Sequence, residues 1–288
     1  THLLRDSKNR FWVGTVNGVC LYTDKDNFRI IPVEADNKNI RQILEDRNGR
    51  IFLNTGFQLY AYHPETEKIT CVLPDISSGH TFYAQCHIAP DNNLWVMTAV
   101  NLYCYDLSTL QLKETVALSG YPYYSYLHNN ELWITGNHTL SIFDTRTRSF
   151  KPLPQPIARN TTLCNADIVY IHPYGNNSLL LNTARHGMFY YNPGTGSVTR
   201  QDENGFPFEM PRFRINQMFT DSQQNLWIGS VDQGYTVCYH YKERFNNDNY
   251  LRSELNNKSV VSLSADKDHK LWISTLMDGI YVYDTKSS

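Results

Sequence analysis

The stretch Asn225-Leu226-Trp227-Ile228-Gly229-Ser230 returns in altered form along the 288 residues of the chain. All five tryptophans occupy the position of Trp227 in these copies, and a phenylalanine and a leucine fill the two remaining places. The anchors lie 38 to 47 residues apart. A period of this size, with several short strands in each unit, is typical of a β-propeller built from four-stranded blades. The seven anchors are Trp12, Phe52, Trp95, Trp133, Leu180, Trp227 and Trp272.

The sixth unit indicates how each blade is built. Apolar residues at 215–219, 226–230 and 235–241 predict three strands, and the polar residues 221–224 predict the turn between the first two. The same parse of all seven units predicts an all-β, seven-bladed propeller of antiparallel strands. We expect one domain over residues 1–288, since stacked units bury a continuous core. The seventh unit ends after its third strand, which predicts an incomplete last blade in a piece of a longer protein.

An aspartate stands six residues before the anchor in four units, at Asp6, Asp46, Asp221 and Asp266. Its carboxylate can accept backbone hydrogen bonds within the turn that joins the first two strands. A catalytic residue is rarely repeated from blade to blade. The pattern therefore predicts a structural role for this aspartate.

Composition limits the classes of partner and cofactor. The formal net charge is −2, and no long run of lysine or arginine is present, so we expect no nucleic acid partner. No apolar stretch approaches the roughly 20 residues that span a bilayer. The six cysteines form no CxxC pair and fall in predicted strands, which favours buried free thiols over disulfides or a metal site. We expect no metal and no cofactor.

Two segments carry a family resemblance. Residues 43–52 (Ile-Leu-Glu-Asp-Arg-Asn-Gly-Arg-Ile-Phe) and the pair Leu-Trp-Ile-Ser-Thr at 271–275 with Asp-Gly-Ile-Tyr-Val-Tyr-Asp at 278–284 resemble the two-component-regulator propeller repeat. That repeat is typical of the periplasmic sensor regions of hybrid two-component systems from Bacteroides-like bacteria. The resemblance implies a parent receptor with a membrane helix and a histidine kinase outside these residues, and we expect that receptor to be a homodimer. It also implies an oligosaccharide ligand derived from polysaccharide breakdown.

In a propeller, the links between blades and the turns between second and third strands emerge on one face, where ligands usually bind. Aromatic rings there can stack on sugar rings, and Arg, Asp, Gln and His can bind hydroxyls or carboxylates. Candidates from the links are His80, Tyr121, Tyr123, Tyr124, Phe206, Phe208, Arg212 and Arg214. Candidates from the turns are Phe57, His138, Arg185, His186, Asp232, Gln233, Met277 and Asp278.

Four of these candidates, Arg185, His186, Arg212 and Arg214, depart from the repeat in units five and six and would suit an acidic sugar if they converge. Two bland alternatives stay open: the tyrosines pack between blades, and the arginines lie on a solvated rim. A glycosidase or lyase is disfavoured, because the sequence singles out no carboxylate pair, nucleophile elbow or metal-ligand spacing. A protein-binding scaffold is the third possibility. The sequence thus predicts a non-catalytic, carbohydrate-sensing propeller.

Overall fold

The computed structural model describes residues 2–24, 27–33, 37–63, 66–76, 84–175, 177–208, 210, 215–230, 234–239, 254–255, 258–268 and 270–284. The chain divides into two compact units, Thr1–Arg212 and Phe213–Ser288. The assignment of residues 1–288 to one domain stays a prediction. Among the described residues, no helix combines the length and the apolar character needed to cross a membrane.

The first unit holds five four-stranded antiparallel sheets, each with its strands in sequence order. The first sheet comprises β1 (His2–Arg5), β2 (Phe11–Thr15), β3 (Gly18–Tyr22) and β4 (Phe28–Ile31). The second comprises β5 (Gln42–Glu45), β6 (Ile51–Asn54), β7 (Leu59–His63) and β8 (Lys68–Leu73). The third comprises β9 (Gln85–Ile88), β10 (Asn93–Met97), β11 (Asn101–Asp106) and β12 (Leu112–Ala117).

The fourth sheet comprises β13 (Tyr124–His128), β14 (Glu131–Gly136), β15 (Thr139–Asp144) and β16 (Ser149–Lys151). Two short helices, α1 (Gln155–Ala158) and α2 (Thr161–Cys164), follow it and were not predicted. The fifth sheet comprises β17 (Ile168–Tyr174), β18 (Ser178–Thr183), β19 (Met188–Asn192) and β20 (Ser197–Arg200). Ile157 and Leu163 bury the two helices against the core between the fourth and fifth sheets.

Among its described residues, the second unit holds two three-stranded sheets. One comprises β21 (Ile215–Thr220), β22 (Leu226–Ser230) and β23 (Tyr235–Cys238), and the other β24 (Val260–Ala265), β25 (Lys270–Thr275) and β26 (Ile280–Asp284). Seven antiparallel sheets, one around each anchor, confirm the predicted all-β fold and the count of seven blades.

Consecutive sheets of the first unit lie against each other, with their first strands adjacent in the order β1, β5, β9, β13 and β17. Each tryptophan anchor of this unit is buried and packs against an aromatic ring on the third strand of the next sheet, at centroid distances of 5.0 to 6.1 Å. Such aromatic pairs add about 0.5–1.5 kcal/mol beyond their area burial. The pairs are Trp12 with Tyr62, Trp95 with Phe143, and Trp133 with Tyr191.

Side chains at the start of the first strands also join neighbouring sheets. The Gln42 amide group donates to the carbonyl of Cys86 at 2.7 Å and accepts from its N–H at 3.0 Å. Gln85 repeats this one sheet later, where its Oε1 accepts from the Ser125 N–H at 2.8 Å. Its Nε2 donates to the carbonyl of Tyr123 at 3.2 Å. The sheets are therefore held together by polar bonds at one end of their first strands as well as by the apolar core.

The repeated aspartate has the predicted structural role. The Oδ1 of Asp6 accepts from the backbone N–H groups of Lys8 (3.0 Å) and Arg10 (2.8 Å). Its Oδ2 accepts from the indole Nε1 of the anchor Trp12 at 2.8 Å. Equivalent indole bonds of 2.8 Å are Trp227 to Asp221 and Trp272 to Asp266. One carboxylate thus fixes both the turn and the anchor ring.

Three sheets lack this carboxylate, and the two of them that have a tryptophan anchor show the consequence. The third sheet has Ala89 six residues before Trp95, and the fourth has Leu127 six residues before Trp133. Within the described part of the chain, the indole nitrogens of both tryptophans are buried without a hydrogen-bond partner. A buried, unpaired donor costs about 1–3 kcal/mol.

The aspartate bonds predict a dependence of stability on pH. Burial opposes ionisation of Asp6, but the bonds from Trp12 and Arg10 outweigh it and hold the pKa of this carboxyl below its ordinary value. The bond from Trp227 lowers the pKa of Asp221 in the same way. A lowered folded-state pKa gives stability that is present above the unfolded value, about 3.9, and is lost as pH falls through the folded value.

We therefore expect Asp6→Asn to lower the free energy of unfolding by about 1.5–3 kcal/mol at pH 7, because bonds to a charged acceptor are lost. The difference from wild type should shrink as pH falls below about 4. Urea unfolding at several pH values measures both. An equal difference at pH 7 and pH 3 would contradict the assigned role of the carboxylate.

The unpaired indole N–H of Trp95 allows a test by a stabilising substitution. The turn at Ala89 has the backbone bonds of the turn at Asp6, since Ala89 N–H donates to Asn93 O at 2.9 Å as Asp6 N–H does to Arg10 O. Ala89→Asp should supply the missing acceptor and stabilise the protein by about 1 kcal/mol. Thermal unfolding of Ala89→Asp, alone and combined with Trp95→Phe, checks this. If Ala89→Asp also stabilises the Trp95→Phe protein, the stabilisation does not come from pairing the indole N–H.

The prediction of buried thiols is corrected at four positions, because Cys71 is exposed and Cys20, Cys164 and Cys238 are half-buried. None of the six thiols is in a disulfide, but Cys164 lies in α2 and Cys71 is exposed on β8. Cys71 occupies the outermost strand of the second sheet, where alternate side chains face solvent. Cys86 and Cys104 are buried, as predicted.

Candidate functional site

The inter-sheet links and the turns between second and third strands meet at one end of the fourth and fifth sheets. The carbonyl of Gly120, in the link before β13, accepts from the N–H of Asn137, in the turn after β14, at 2.9 Å. Asp167, in the link before β17, accepts from the His138 N–H at 3.0 Å through its carboxylate. Its carbonyl accepts from the Ala184 N–H at 2.9 Å. Asp167 therefore joins the turns of two adjacent sheets, a role that the sequence did not reveal.

Tyr123 is the predicted candidate whose hydroxyl is most clearly set for a ligand. Its Oη is buried and has no hydrogen-bond partner among the described residues. Burial, together with the nearby negative charge of Asp167, raises the pKa of Tyr123 to about 12. The hydroxyl therefore stays protonated at neutral pH and can donate a hydrogen bond to an incoming oxygen. Tyr121, two residues earlier, is 74% exposed.

Arg185 and His186 lie in the turn after β18, next to Ala184, and both are exposed. The turn is fixed from within, because the Thr183 hydroxyl accepts from the His186 N–H at 2.9 Å. This places a cation and an imidazole at the same end of the sheets as Tyr121 and Tyr123. His138 lies at this end too, with its Nδ1 2.9 Å from the carbonyl of Asn165 and 3.4 Å from the Asp167 carboxylate.

Tyr124 takes a packing role instead. Its hydroxyl donates to the carbonyl of Ile171 at 3.2 Å, and its ring lies 5.5 Å from that of Tyr170. Burial raises the pKa of Tyr124. Its position at the start of β13 matches that of Gln85 on β9, so Tyr124 joins the fourth sheet to the fifth. This agrees with the alternative in which tyrosines pack between blades.

Phe206 and Phe208 form an aromatic cluster on the fifth sheet. Their rings are 5.1 Å apart, and Phe208 lies 5.4 Å from Tyr174, the last residue of β17. Phe206 lies 6.4 Å from Tyr190 on β19. Tyr174 ends β17, whereas Asp167 precedes that strand, so the cluster and the Asp167 junction occupy different regions of the sheet. The structure does not bring the two phenylalanines together with Tyr123.

The remaining candidates lie in other turns of the chain or outside the described residues. Asp278 lies in the turn before β26 of the second unit, where its N–H donates to the Thr275 hydroxyl at 3.0 Å. Met277 beside it is 88% exposed, and Phe57 lies in the turn after β6 of the first unit. His80, Arg212, Arg214, Asp232 and Gln233 lie outside the described residues. The convergence of Arg185 and His186 with Arg212 and Arg214, and the ligand role of the whole set, stay predictions.

The opposite end of the fourth and fifth sheets holds a cavity of about 340 Å³ that sequence reasoning missed. Trp133 and Tyr191 form aromatic walls, with their rings 6.1 Å apart. Asparagines and charged side chains supply the polar part of the lining. The cavity is lined by His128, Asn129, Asn130, Glu131, Trp133, Asp144, Arg146, Lys151, Pro154, Asn177, Leu179, Tyr191 and Pro193.

The positively and negatively charged side chains that line this cavity are equal in number. Lys151 Nζ lies 2.6 Å from a Glu131 oxygen and 3.8 Å from an Asp144 oxygen. The hydrogen bond to Glu131 raises the pKa of Lys151, and the backbone N–H of Thr147 leads the contacts that lower the pKa of Asp144. Lys151 and Asp144 are therefore ionised at neutral pH. With Arg146, the lining carries two positive and two negative charges.

A second cavity of about 550 Å³ lies between the first and second sheets, near their turns. Its charged lining is basic, with Lys8, Arg10 and Arg50 beside His63. Arg10 and Arg50 are each neutralised by the turn aspartate of their own sheet, at 2.6 Å. Little positive charge is therefore left for a ligand.

Comparison with solved structures identifies proteins of similar fold. The chain is similar to the extracellular domain of a one-component system from Bacteroides thetaiotaomicron, with a TM-score of 0.62 and 16% identity over 99% of this chain and 40% of that one. It is similar to the extracellular domain of a hybrid two-component system from the same organism, with a TM-score of 0.53 and 18% identity over 98% of this chain and 46% of that one. The chain thus spans less than half of each.

The chain is also similar to virginiamycin B lyase from Staphylococcus aureus, with a TM-score of 0.58 and 12% identity over 96% of this chain and 92% of that one. No protein-family model matches the sequence, and no curated protein matches it. At these identities, the similarities establish the propeller fold.

Proposed function

We propose that this chain is the propeller of a periplasmic sensor in a hybrid two-component signalling protein, and that it binds products of polysaccharide breakdown without converting them. The observation that carries the proposal is the similarity of 98–99% of the chain to extracellular domains of one- and two-component systems. The Leu-Trp-Ile-Ser-Thr type of repeat supports the same assignment. The histidine kinase and the membrane helix would lie in other parts of the parent protein.

The end of the fourth and fifth sheets around Asp167 supplies suitable chemistry for a saccharide. Tyr121 exposes an aromatic face, and Tyr123 holds an unpartnered hydroxyl. Arg185 and His186 add donors that suit a carboxylate on an acidic sugar. Because these groups come from different sheets, one ligand could touch both turns.

A ligand can signal only if it binds one arrangement of the receptor more tightly than another. We propose that the receptor is a homodimer and that binding shifts the pairing of its two sensors. A 100-fold excess of ligand over its dissociation constant stabilises the bound state by about 2.7 kcal/mol. Energy of that size is enough to shift a two-state equilibrium about 100-fold.

A lyase is the second candidate function, because the similarity to virginiamycin B lyase covers nearly the whole of that enzyme. Sensing and catalysis differ in what becomes of the ligand. A sensor returns its ligand unchanged, whereas a lyase releases a product.

The test is a thermal-shift screen of the chain against neutral, uronic and sulfated oligosaccharides, with each ligand analysed by chromatography afterwards. The proposal expects a selective rise of several degrees in the unfolding midpoint and an unchanged saccharide. Product formation would favour the lyase. A folded sample with no shift for any saccharide would overturn the sensing role of this propeller.

For a saccharide that binds, Tyr123→Phe and Arg185→Ala test the site around Asp167. Each should raise the dissociation constant about tenfold, because each removes one hydrogen-bonding group worth about 1.4 kcal/mol. Arg159→Ala is the matched control for the loss of an exposed cation elsewhere on the first unit. Unchanged affinity in both test variants would move the site to another part of the chain.

A further inference from the structure

The cavity between the fourth and fifth sheets contains a hydrogen-bond donor that the fold leaves unused. Trp133 lines this cavity and is 2% exposed, and its Nε1 has no partner among the described residues. An indole N–H is a donor only, so it requires an acceptor. In the first sheet, the same atom of the equivalent Trp12 reaches an Asp6 oxygen at 2.8 Å.

Strand register explains why the acceptor is missing. In the first sheet, Leu4 pairs with the anchor Trp12, and the aspartate follows two residues later. In the fourth sheet, Tyr126 pairs with Trp133, so the equivalent position is His128. The hairpin is one residue shorter, since His128 pairs directly with Glu131.

The residue at the equivalent position is engaged elsewhere. His128 Nε2 lies 2.8 Å from the Oδ1 of Asn177, and Asn129 Nδ2 donates to the same oxygen at 3.1 Å. These bonds cross from the fourth sheet to the turn of the fifth at the rim of the cavity. Because the indole N–H of the equivalent Trp12 is directed to the turn aspartate of its sheet, we infer that the Trp133 N–H is directed to the turn end of the fourth sheet, where the cavity residues 128–131 lie.

The lining indicates which class of molecule would supply the acceptor. Trp133 and Tyr191 contribute the small exposed parts of their rings, 2% and 8% of each residue, whereas Asn129, Asn130 and Asn177 offer amides. The four charges of the lining cancel, so a net charge on the ligand gains nothing from them. A volume of about 340 Å³ lies at the small end of ligand pockets, which span roughly 300–1,000 Å³.

We propose that this cavity binds one neutral sugar ring, whose oxygen accepts from Trp133 Nε1 in the place that Asp6 takes beside Trp12. The ring's apolar face packs against the exposed edges of Trp133 and Tyr191, and its hydroxyls bond to the asparagines and to the Glu131–Lys151 pair. This proposal rests on the proposed saccharide-binding function, but it names a site distinct from the one around Asp167.

Two variants test the role of the indole donor. Trp133→Phe keeps an aromatic wall and removes the N–H. His128→Asp keeps the tryptophan and places a carboxylate where Asp6 stands in the first sheet. Trp95→Phe is the matched control, because Trp95 has the same orphaned indole but lines neither of the two cavities described above.

The measurement is calorimetric titration of the chain and each variant with the methyl glycosides of glucose, galactose, mannose and xylose, followed by chromatography of the sugar. At least one glycoside should bind, and Trp133→Phe and His128→Asp should each weaken it about tenfold or more. His128→Asp should also raise the unfolding midpoint without ligand, because it pairs the indole. Trp95→Phe should bind as wild type does.

The results distinguish failure of the cavity site from failure of the proposed sensing function. Unchanged affinity in both test variants, or equal weakening by Trp95→Phe, would overturn the cavity site and leave the sensing function in place. Binding at the cavity accompanied by cleavage would overturn non-catalytic sensing and leave the site. Absence of binding by every glycoside and by the oligosaccharide panel would overturn both.

Discussion

Trp95→Ala should lower the free energy of unfolding by about 3–5 kcal/mol, the cost of removing a large aromatic side chain from a core. Trp95 is fully buried, and its ring meets Phe143 of the next sheet at 5.1 Å. Its loss would leave a hole between the third and fourth sheets, which the β-strands on either side cannot close without losing their register. Urea unfolding followed by circular dichroism measures the change.

Trp272→Ala is the control for this prediction. Trp272 occupies the same repeat position but is 43% exposed, so its removal takes less apolar surface from the core and should cost less. An equal loss of stability at the two positions would contradict the claim that anchor burial, rather than the repeat position itself, determines the energy.

Gln85→Leu should be the next most damaging change, at about 2–4 kcal/mol. The leucine fills a similar volume but cannot bond to the Ser125 N–H at 2.8 Å or to the Tyr123 carbonyl at 3.2 Å. Each buried polar group left without a partner costs about 1–3 kcal/mol. Thermal unfolding of Gln85→Leu beside Gln111→Leu, a change at an exposed site, gives the difference.

A second variant at this position separates the contributions of the two hydrogen bonds. Gln85→Glu keeps an oxygen that accepts from Ser125 and loses the donor to Tyr123, so its stability should fall between those of wild type and Gln85→Leu. A glutamate variant as unstable as the leucine variant would show that the two bonds do not contribute separately.

The repeat made most of the fold predictable. Tryptophan at one position in five units identifies the second strand of those sheets, because a large apolar ring at a regular spacing marks an equivalent position in each unit. The structural role of the turn aspartate was equally predictable, since Asp6 and Asp221 stand the same number of residues before their anchors. The helices α1 and α2 could not be predicted, because each has only four residues, too few to show a helical periodicity.

The candidate site was predicted only in part. Tyr123 and Tyr124 are neighbours where the link enters β13, but adjacent residues of an extended chain face opposite sides, and only the register decides which side is packed. The sequence therefore placed both at a ligand site, whereas Tyr124 joins two sheets. Links carrying Phe206 and Phe208 could not be oriented from sequence either, since their packing depends on contacts with distant strands.

A signal for the cavity was present in the sequence. Trp95 and Trp133 lack the aspartate that precedes three of the five tryptophans by six residues. Counting these absences identifies two indoles without their usual acceptor. Which of the two lines an open space depends on the length of the hairpin and on the neighbouring sheet, and this required the structure.

The most direct test of saccharide binding between the fourth and fifth sheets is a nitrogen-edited NMR titration of the five indole N–H groups, assigned with single Trp→Phe variants. Adding the glycoside that binds most tightly should shift the Trp133 signal saturably, leave the Trp12, Trp95, Trp227 and Trp272 signals in place, and leave the sugar intact. A folded sample in which Trp133 does not respond at saturation, or in which the sugar's own signals change to those of a product, would contradict the account.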